Sequence, residues 1–438
     1  MKFLRIACFL IVFTSLLGCS EQPDLIRPTI QDVETPTQLP TVSVNIEIPE
    51  VTVTPAQRNF DIQYFCPEIS LNSKQIPESL GTIVLSGENV AIDGQNYLPD
   101  TNQKSILWFW DTDSGERTTI QLSRHQEYYY FVTSPNKEKL AYTEGKTLSM
   151  PSDVIVLDHN GQETGKITLP DDWTLFDWLS NEKLLSRQFR LRGENLDLVA
   201  IDPITGEREF LSSDFPNLYS NGPVFFWGGL TIFNPTASFV AYPEVKENEI
   251  ISILWDVQNN KEISSIMGQS RWPRWAPDGS RLLIVVDYAS TPTDAGHEEI
   301  FLLKPSGEVT RLTFFKEHFE HNIIDLPRWS PNGRYVAFWQ RTNRSASRLA
   351  VLDTETSIVD LYCKELDPYP YRFGEHNTLG YSYYQVNSTA PIWSPDSRYL
   401  LIENYEQFIS STYLFDLKDH AITKIADGAR SVSWMIGE

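Results

Sequence analysis

A repeated Trp-Ser-Pro-Asp-Gly pattern constrains the fold of this 438-residue chain more than any other feature of its sequence. Its three best copies nearly superimpose and lie at residues 273–284, 327–338 and 391–402. Ser-Pro-Asp-Gly favours a tight type I turn, because Pro fixes φ at the second position and Gly follows at the fourth. An aromatic residue before the turn and an aliphatic run after it predict two paired strands.

A second apolar strand follows each turn and usually ends in Asp. Clear examples are residues 154–158, 198–202, 349–353 and 413–416. A polar turn and a fourth short strand come next, as at residues 309–313. Four antiparallel strands in each unit are typical of β-propeller blades, so the predicted fold class is an all-β propeller.

The aromatic position before the turn allows the blades to be counted. Its successive occupants are Thr133, Trp178, Phe233, Trp275, Trp329 and Trp393. Trp434 is a seventh copy, and segment 81–121 has the later strands of a blade without an inner strand. We therefore expect the C-terminal strand to complete the first of seven four-stranded blades over residues 81–438, because closure removes both sheet edges. Six or eight blades are the alternatives.

This repeat resembles that of the TolB-like propellers, which are also described as WD40-like or PD40 repeats. The resemblance covers residues 80–438 and implies the propeller fold. Trp110-Asp111 is similar to the Trp-Asp pair of WD40 repeats, although the Gly-His partner of that family is missing. TolB also carries a separate N-terminal α/β domain, for which residues 58–80 leave no room. TolB's role is therefore not carried over to this chain.

The first 19 residues are typical of an export signal. Lys2 and Arg5 precede a mostly apolar run, residues 6–17, that is too short to span a bilayer. The run ends in Leu-Leu-Gly-Cys, which resembles a bacterial lipobox and predicts a diacylglycerol lipid on Cys19. A plain secretory signal is the alternative. Two acyl chains give stable anchoring, so the expected location is the cell membrane or outer membrane, facing the periplasm or exterior.

Composition separates the remaining N-terminal regions and excludes one class of partner. Residues 20–57 contain six prolines and are typical of an extended tether, and residues 58–80 form a segment before the first blade. The chain has 36 basic and 58 acidic residues, which gives a formal charge of −22. Such a surface repels phosphate, so we expect no nucleic-acid partner.

The loops that lead from an outer strand to the next inner strand are rich in aromatic residues and emerge on one face of a propeller. Aromatic side chains with polar atoms commonly anchor proteins and sugars. The candidate binding residues are Tyr129, Trp173, Trp227, Trp272 and Phe319. The alternative is that individual members wedge between blades as core.

Two arginines form a second candidate binding feature. Arg274 and Arg328 directly precede inner-strand tryptophans, so we expect both at the mouth of the central channel. There they would hold an acidic ligand, or they would pair with neighbouring carboxylates.

Two cysteines remain beyond the signal and Cys19. Cys66 and Cys363 would form a disulfide in an oxidising compartment and tie the segment before the first blade to the end of blade 6.

The sequence favours a binding scaffold over an enzyme. It contains no Gly-x-Ser-x-Gly motif and no complete phosphate-binding loop. We expect a scaffold for a protein, peptide or glycan that carries no cofactor besides the lipid. The alternative is a polysaccharide lyase similar to the seven-bladed oligogalacturonate lyases, which hold a metal with histidines. His318 and His321 would then be ligands, and otherwise they are solvated loop residues.

Overall fold

The structure is a computed structural model that describes most of the segment predicted to form the propeller. The described residues are 60–70, 81–87, 106–122, 131–144, 152–170, 173–188, 198–211, 232–246, 249–287, 297–342, 347–366, 390–406 and 409–437. This part of the chain contains no helix with the length and hydropathy needed to cross a membrane.

Thirty strands and one 3₁₀ turn, Phe315–Glu317, make up the described structure. The strands are β1 (Asp61–Phe65), β2 (Ile69–Ser70), β3 (Thr82–Gly87), β4 (Ile106–Asp111), β5 (Arg117–Gln121), β6 (Phe131–Thr133), β7 (Leu140–Glu144), β8 (Ser152–Leu157), β9 (Glu163–Leu169), β10 (Trp173–Trp178), β11 (Leu184–Gln188), β12 (Leu198–Ile201), β13 (Arg208–Phe210), β14 (Ile232–Phe233), β15 (Phe239–Lys246), β16 (Glu249–Asp256), β17 (Lys261–Met267), β18 (Gln269–Trp275), β19 (Leu282–Asp287), β20 (Glu298–Leu303), β21 (Val309–Arg311), β22 (Ile323–Trp329), β23 (Tyr335–Arg341), β24 (Ser347–Asp353), β25 (Ile358–Leu366), β26 (Ile392–Trp393), β27 (Tyr399–Glu406), β28 (Ile409–Asp416), β29 (Ala421–Asp427) and β30 (Arg430–Met435).

The strands form seven sheets, which confirms the seven-bladed propeller. From inner to outer strand, blade 1 is β30-β3-β4-β5, and blades 2 to 7 are β6–β9, β10–β13, β14–β17, β18–β21, β22–β25 and β26–β29. The expected closure is also confirmed, because β30 pairs antiparallel with β3 from Thr82↔Met435 to Ser86↔Arg430. The last strand of the chain therefore sits beside the first strand of the ring.

The hydrophobic core is a ring of seven clusters rather than one central mass. One cluster fills each gap between neighbouring blades, including the gap between blades 7 and 1. The aliphatic residues of the middle strands supply most of these contacts, because both faces of each sheet are covered by another blade.

The repeated turn has the geometry that its sequence predicts. The Gly333 N–H donates to the Ser330 carbonyl at 2.9 Å, and Gly333 adopts a φ of 70°. The Ser330 side chain accepts the Tyr335 N–H, which fixes the start of the following strand. Lys137 and Ser397 occupy the glycine position in two other copies with φ values of 64° and 63°.

The inner-strand tryptophans connect neighbouring blades through hydrogen bonds. The indole N–H of Trp329 donates to the Arg274 carbonyl at 3.0 Å, and that of Trp393 donates to the Arg328 carbonyl at 3.0 Å. Trp178 and Trp275 make the equivalent bonds to Val132 and Ile232. Each acceptor is the residue directly before the aligned aromatic position in the preceding blade.

Blade 2 has Thr133 in place of an aromatic residue at this position and uses its hydroxyl instead. The Thr133 hydroxyl lies 2.7 Å from the Ser433 hydroxyl of blade 1, so a polar bond again crosses between inner strands.

The segment before the first blade forms a structure that the sequence did not predict. Strand β1 pairs parallel with β25 and β2 pairs parallel with β29, so each adds a fifth strand to an outer edge. A disulfide joins Cys66, between these two strands, to Cys363 of β25 with a Cα–Cα distance of 4.8 Å. We call residues 60–70 the strap, because they bind the outer edges of blades 6 and 7 together.

Replacing Trp178 by Phe will test the bonds between blades. The substitution leaves the buried Val132 carbonyl without its indole donor, so we expect a loss of about 1–3 kcal/mol in the free energy of unfolding. Urea unfolding, monitored by circular dichroism, measures this loss. Trp255→Phe is the matched control, because Trp255 packs on a middle strand. Equal losses in both variants would contradict the role given to the indole bond.

Removal of the disulfide will test the strap. Reduction of the native protein should raise its intact mass by about 2 Da, and the Cys66→Ser/Cys363→Ser variant should lose about 2–5 kcal/mol of stability. A reductant should leave the double variant's stability unchanged. Two free thiols in unreduced native protein would contradict this pairing.

Candidate functional site

Seven residues occupy equivalent positions on the inner strands, which are the strands nearest the centre of the ring. Each directly precedes the aromatic position that ends an inner strand, and we call this set the channel ring. In order from blade 1 to blade 7 its members are Ser433, Val132, Asp177, Ile232, Arg274, Arg328 and Ile392. The ring therefore combines two guanidinium groups, one carboxylate, one hydroxyl and three aliphatic side chains.

The polar members of the ring follow irregularities in their strands. The register shifts between Leu175 and Asp177 in β10, between Arg271 and Arg274 in β18, and between Asp325 and Arg328 in β22. The pairing of β30 shifts in the same way beside Ser433. Bulges re-aim side chains, and the inner strands that carry them bear all four polar ring residues. The three shorter inner strands carry the aliphatic members.

A local sequence signal explains two of these bulges. Proline follows Trp272 and Leu326, and proline has no N–H to donate to the ladder. Residues before proline are also displaced from the right-handed helical region. Trp272 and Leu326 instead adopt φ values of 54° and 55°, which is uncommon for residues other than glycine.

Charged groups from non-adjacent blades act on one another within the channel. The pKa of Asp177 is raised because burial disfavours its charged form, whereas the charges of Arg274 and Arg328 oppose that rise. Asp177 itself is half-buried. Blade 3 is adjacent to neither blade 5 nor blade 6, so the charges of the two arginines act on Asp177 across the centre of the ring.

Lys137 lies at the end of the channel that the repeated turns surround. Its ammonium group donates to the Trp393 carbonyl of blade 7, while the Lys137 carbonyl accepts the Ile436 N–H at 3.0 Å. These bonds span blade 1, which has no repeated turn because its inner strand is the last of the chain. Burial lowers the pKa of Lys137 to about 7.

The described aromatic candidates take part in packing between blades. Trp173 packs against the cluster between blades 2 and 3, and Phe319 lies 6.0 Å from Phe315 in the cluster between blades 5 and 6. Trp272 contacts the clusters on both sides of blade 6 and remains half-buried. Tyr129 and Trp227 lie outside the described residues.

The two histidines that the alternative reading would make metal ligands have different aromatic neighbours. His318 packs edge-on against Phe60 of the strap at 5.4 Å, whereas His321 stacks with His297 at 6.0 Å. The strap lies at the outer edge of blade 6, far from the inner strands that carry the arginines. Within the described ranges, no three His, Cys, Asp or Glu side chains come together in a group that could hold a metal ion.

Buried carboxylates near the loop face have internal partners. Glu299 accepts bonds from Arg311, from the Thr313 hydroxyl and from the backbone N–H groups of Phe315 and Lys316. It therefore fixes the loop that carries His318 and His321.

A second group of carboxylates is paired with arginine. Asp325 is bound by Arg341, and Glu403 is bound by Arg430 and the Ser410 hydroxyl. Burial raises the pKa of Glu403, and these two partners oppose the rise. Such pairing gives these carboxylates a structural role.

Sequence reasoning selected Arg274 and Arg328 but missed Asp177. Alignment of the seven copies contains the missing signal, because Asp177 holds the same place before Trp178 that the arginines hold before their tryptophans.

The charge of Lys137 will give the stability of the protein a measurable pH dependence. The unfolded chain binds a proton at Lys137 up to about pH 10, whereas the folded chain releases it near pH 7, so stability should rise with pH between 7 and 9. Lys137→Met should flatten this rise in urea unfolding series. Lys139→Met removes only an ion pair to the exposed Glu182, so the rise of stability with pH should remain in that variant. An unchanged slope in Lys137→Met would refute the assignment.

Comparison with curated proteins gives one limited similarity. No family model matches the chain. The uncharacterized peptidase YuxL of Bacillus subtilis (strain 168) is 28% identical over 132 residues, which are 30% of this chain and 16% of YuxL. The chain thus aligns with less than a fifth of that relative's length.

Several solved structures are similar in fold. TolB from Acinetobacter baumannii is 15% identical with a TM-score of 0.43, covering 76% of this chain and 80% of TolB. An oligogalacturonate lyase in complex with manganese is 16% identical with a TM-score of 0.48, and the match covers 79% of this chain and 98% of the lyase. The periplasmic gluconolactonase PpgL of Pseudomonas aeruginosa is 11% identical with a TM-score of 0.46, and the match covers 81% of this chain and 97% of PpgL. These likenesses concern the propeller alone, and TolB structures are among them, as the repeat predicted.

Proposed function

We propose that this chain is a lipid-anchored β-propeller that binds a protein, peptide or glycan outside the cytoplasm. Diacylglycerol on Cys19 would hold it to the cell membrane or outer membrane, and residues 20–57 would connect the anchor to the strap. The propeller would face the periplasm or the exterior.

The disulfide between Cys66 and Cys363 is the observation that carries this proposal. Disulfides persist in the periplasm and outside the cell, and they are rare where thiols are kept reduced. Cys66 is exposed, so reductants of a cytoplasm would reach it. The pairing therefore supports export, which the apolar run and the Leu-Leu-Gly-Cys motif favour independently.

The position of the strap supports a role in binding. The strap lies against β25 and β29, at the outer edges of two blades. The strap therefore joins the ring at its outer edge and not at the inner strands that carry the channel ring. The acidic charge of the chain favours partners other than nucleic acid.

Replacement of Cys19 will test the anchor. The full-length protein should fractionate with membranes, require detergent for release, and yield an N-terminal peptide with the mass of a diacylglyceryl cysteine. Cys19→Ala should remain unmodified and should not need detergent to release its propeller, because one lipidated residue supplies the attachment. Cys66→Ser is the control that removes a cysteine and keeps the anchor. An unmodified Cys19 in the native protein would exclude a lipoprotein.

Metal analysis separates this proposal from a lyase. Elemental mass spectrometry of the purified full-length protein should find no metal at one ion per chain. Stoichiometric manganese or zinc, together with an ultraviolet-absorbing product from an acidic glycan, would favour the lyase and make His318 and His321 the first residues to replace.

A further inference from the structure

We propose that residues 53–57 form a fifth strand on the outer edge of blade 5, parallel to β21, and so extend the strap around the rim by one blade. These residues lie outside the described part of the chain. The docking surface is the edge of β21, and its occupant is this segment of the same chain. The inference goes beyond the proposed function and depends neither on the lipid anchor nor on an external ligand.

One position in each outer strand distinguishes the blades that carry the strap. It pairs with the residue directly before the Asp at the end of the third strand, or before Lys304 in blade 5. From blade 1 to blade 7 its occupants are Arg117, Glu163, Arg208, Glu262, Val309, Val359 and Ile422. The four charged residues are exposed, whereas the three β-branched aliphatic residues are buried.

The strap accounts for this difference in blades 6 and 7. Ile62 pairs with Val359 and lies with it in one hydrophobic cluster, and Ile69 pairs with Ile422 and packs against the cluster that contains it. Val309 is only 5% exposed, although no strand among the described residues pairs with the outer side of β21. Charged residues protect a free edge from pairing, whereas an aliphatic residue there suits a covering strand. Blade 5 therefore has the edge of a strapped blade.

The spacing of the strap identifies the segment that fits this edge. The strap advances by seven residues per blade, because Ile62 and Ile69 lie opposite equivalent residues. The same step upstream places Pro55 opposite Val309 and Ala56 opposite Thr310. Three residues, 58–60, would then cross from blade 5 to blade 6, just as residues 66–68 cross from β1 to β2.

The contacts of Phe60 support both the path and the direction of the added strand. Its ring lies 5.9 Å from that of Phe314 and 5.5 Å from that of Phe315. Phe314 comes three residues after Arg311, which is the last residue of β21. The chain therefore reaches blade 6 from the end of β21. A strand parallel to β21 finishes at that end, whereas an antiparallel strand would finish at the other.

Proline is compatible with the position that this register gives to it. The Ile62 N–H donates to the Asp61 carboxylate at 2.9 Å, so its donor is satisfied within the strap. A residue without an N–H can take the equivalent position of an edge strand. Pro55 thus meets the one backbone restriction that its ring imposes. The β-branched residues Val53 and Thr54 before it favour an extended strand.

The same comparison predicts where the strap begins. A further step of seven residues leads to Ile48, but the corresponding position of blade 4 carries the exposed Glu262. A charged residue at that place disfavours pairing. The strap would therefore start on blade 5, and residues 20–52 would remain as the tether.

A designed disulfide in the full-length protein will test the register. Cys66 and Cys363 are the register pair that follows Phe65↔Tyr362, and their Cα atoms are 4.8 Å apart, so register partners of this parallel pairing can be bridged. Ala56→Cys/Thr310→Cys, oxidised with diamide, should give a 56–310 linkage in peptide mapping without reductant. Ala56→Cys/Ile263→Cys is the matched control, because Ile263 holds the position of Thr310 on blade 4. It should link at least about tenfold less, since distant Cα atoms cannot be bridged. Absence of the 56–310 linkage, or equal linkage in the control, would overturn the proposal.

Hydrogen exchange in the full-length protein gives a second test that does not rely on cysteines. Residues 53–57 should exchange at least about tenfold more slowly than residues 42–48, because the added strand bonds to β21. Ala56→Pro should abolish this protection, since the register directs the Ala56 N–H toward β21. Gln57→Pro should keep it, because Gln57 shares the orientation of Pro55 and its N–H faces away. Equal exchange of the two segments in the native protein, or equal effects of the two proline substitutions, would count against the strand.

The outcome is separable from that of the proposed function. A lipidated Cys19 without protection of residues 53–57 would leave the anchor in place and end the strap at residue 60. Protection and linkage without lipid would establish the strand on blade 5 in a protein that is not a lipoprotein.

Discussion

The hydrogen bond from an inner-strand tryptophan to the preceding blade is the interaction on which the ring depends. A propeller has no single core, so each blade must be held in register with its neighbours at the narrow centre. The indole of Trp329 does this by packing between blades and by donating a hydrogen bond to the carbonyl of the buried Arg274. One side chain thus supplies both the aromatic packing and the hydrogen bond to the backbone carbonyl.

The same hydrogen bonds hold the backbone of the channel ring. Trp178, Trp275, Trp329 and Trp393 each donate an indole N–H to the carbonyl of a ring residue in the preceding blade. Bulges beside Asp177, Arg274 and Arg328 supply the freedom to aim these charged groups. The aromatic position of the repeat therefore holds neighbouring blades together, while the residue before it differs in charge and polarity from blade to blade.

Closure of the ring is reinforced at both its inner and its outer circumference. At the centre, β30 completes blade 1 and Lys137 reaches from blade 2 to blade 7. At the rim, the strap covers the edges of β25 and β29 and is fixed by the disulfide of Cys66. Covering an edge also prevents its pairing with another chain.

The sequence by itself determined the fold class, the blade number and the closing strand, because a turn motif with an aromatic residue before it sets local hairpins and their spacing. It also identified Arg274, Arg328 and the two cysteines as residues of interest. Only the tertiary structure decided that His318 and His321 have different aromatic neighbours, that Trp173 and Phe319 pack between blades, and that the charges of Arg274 and Arg328 act on Asp177. The cysteines predicted the attachment of residues 58–80 to blade 6, but only the tertiary structure showed the parallel pairing of β1 and β2, since pairing between residues nearly 300 positions apart leaves no local signal. Local patterns specify strands and turns, whereas contacts across a ring depend on how many blades separate two residues and on the direction in which each bulge turns its side chain.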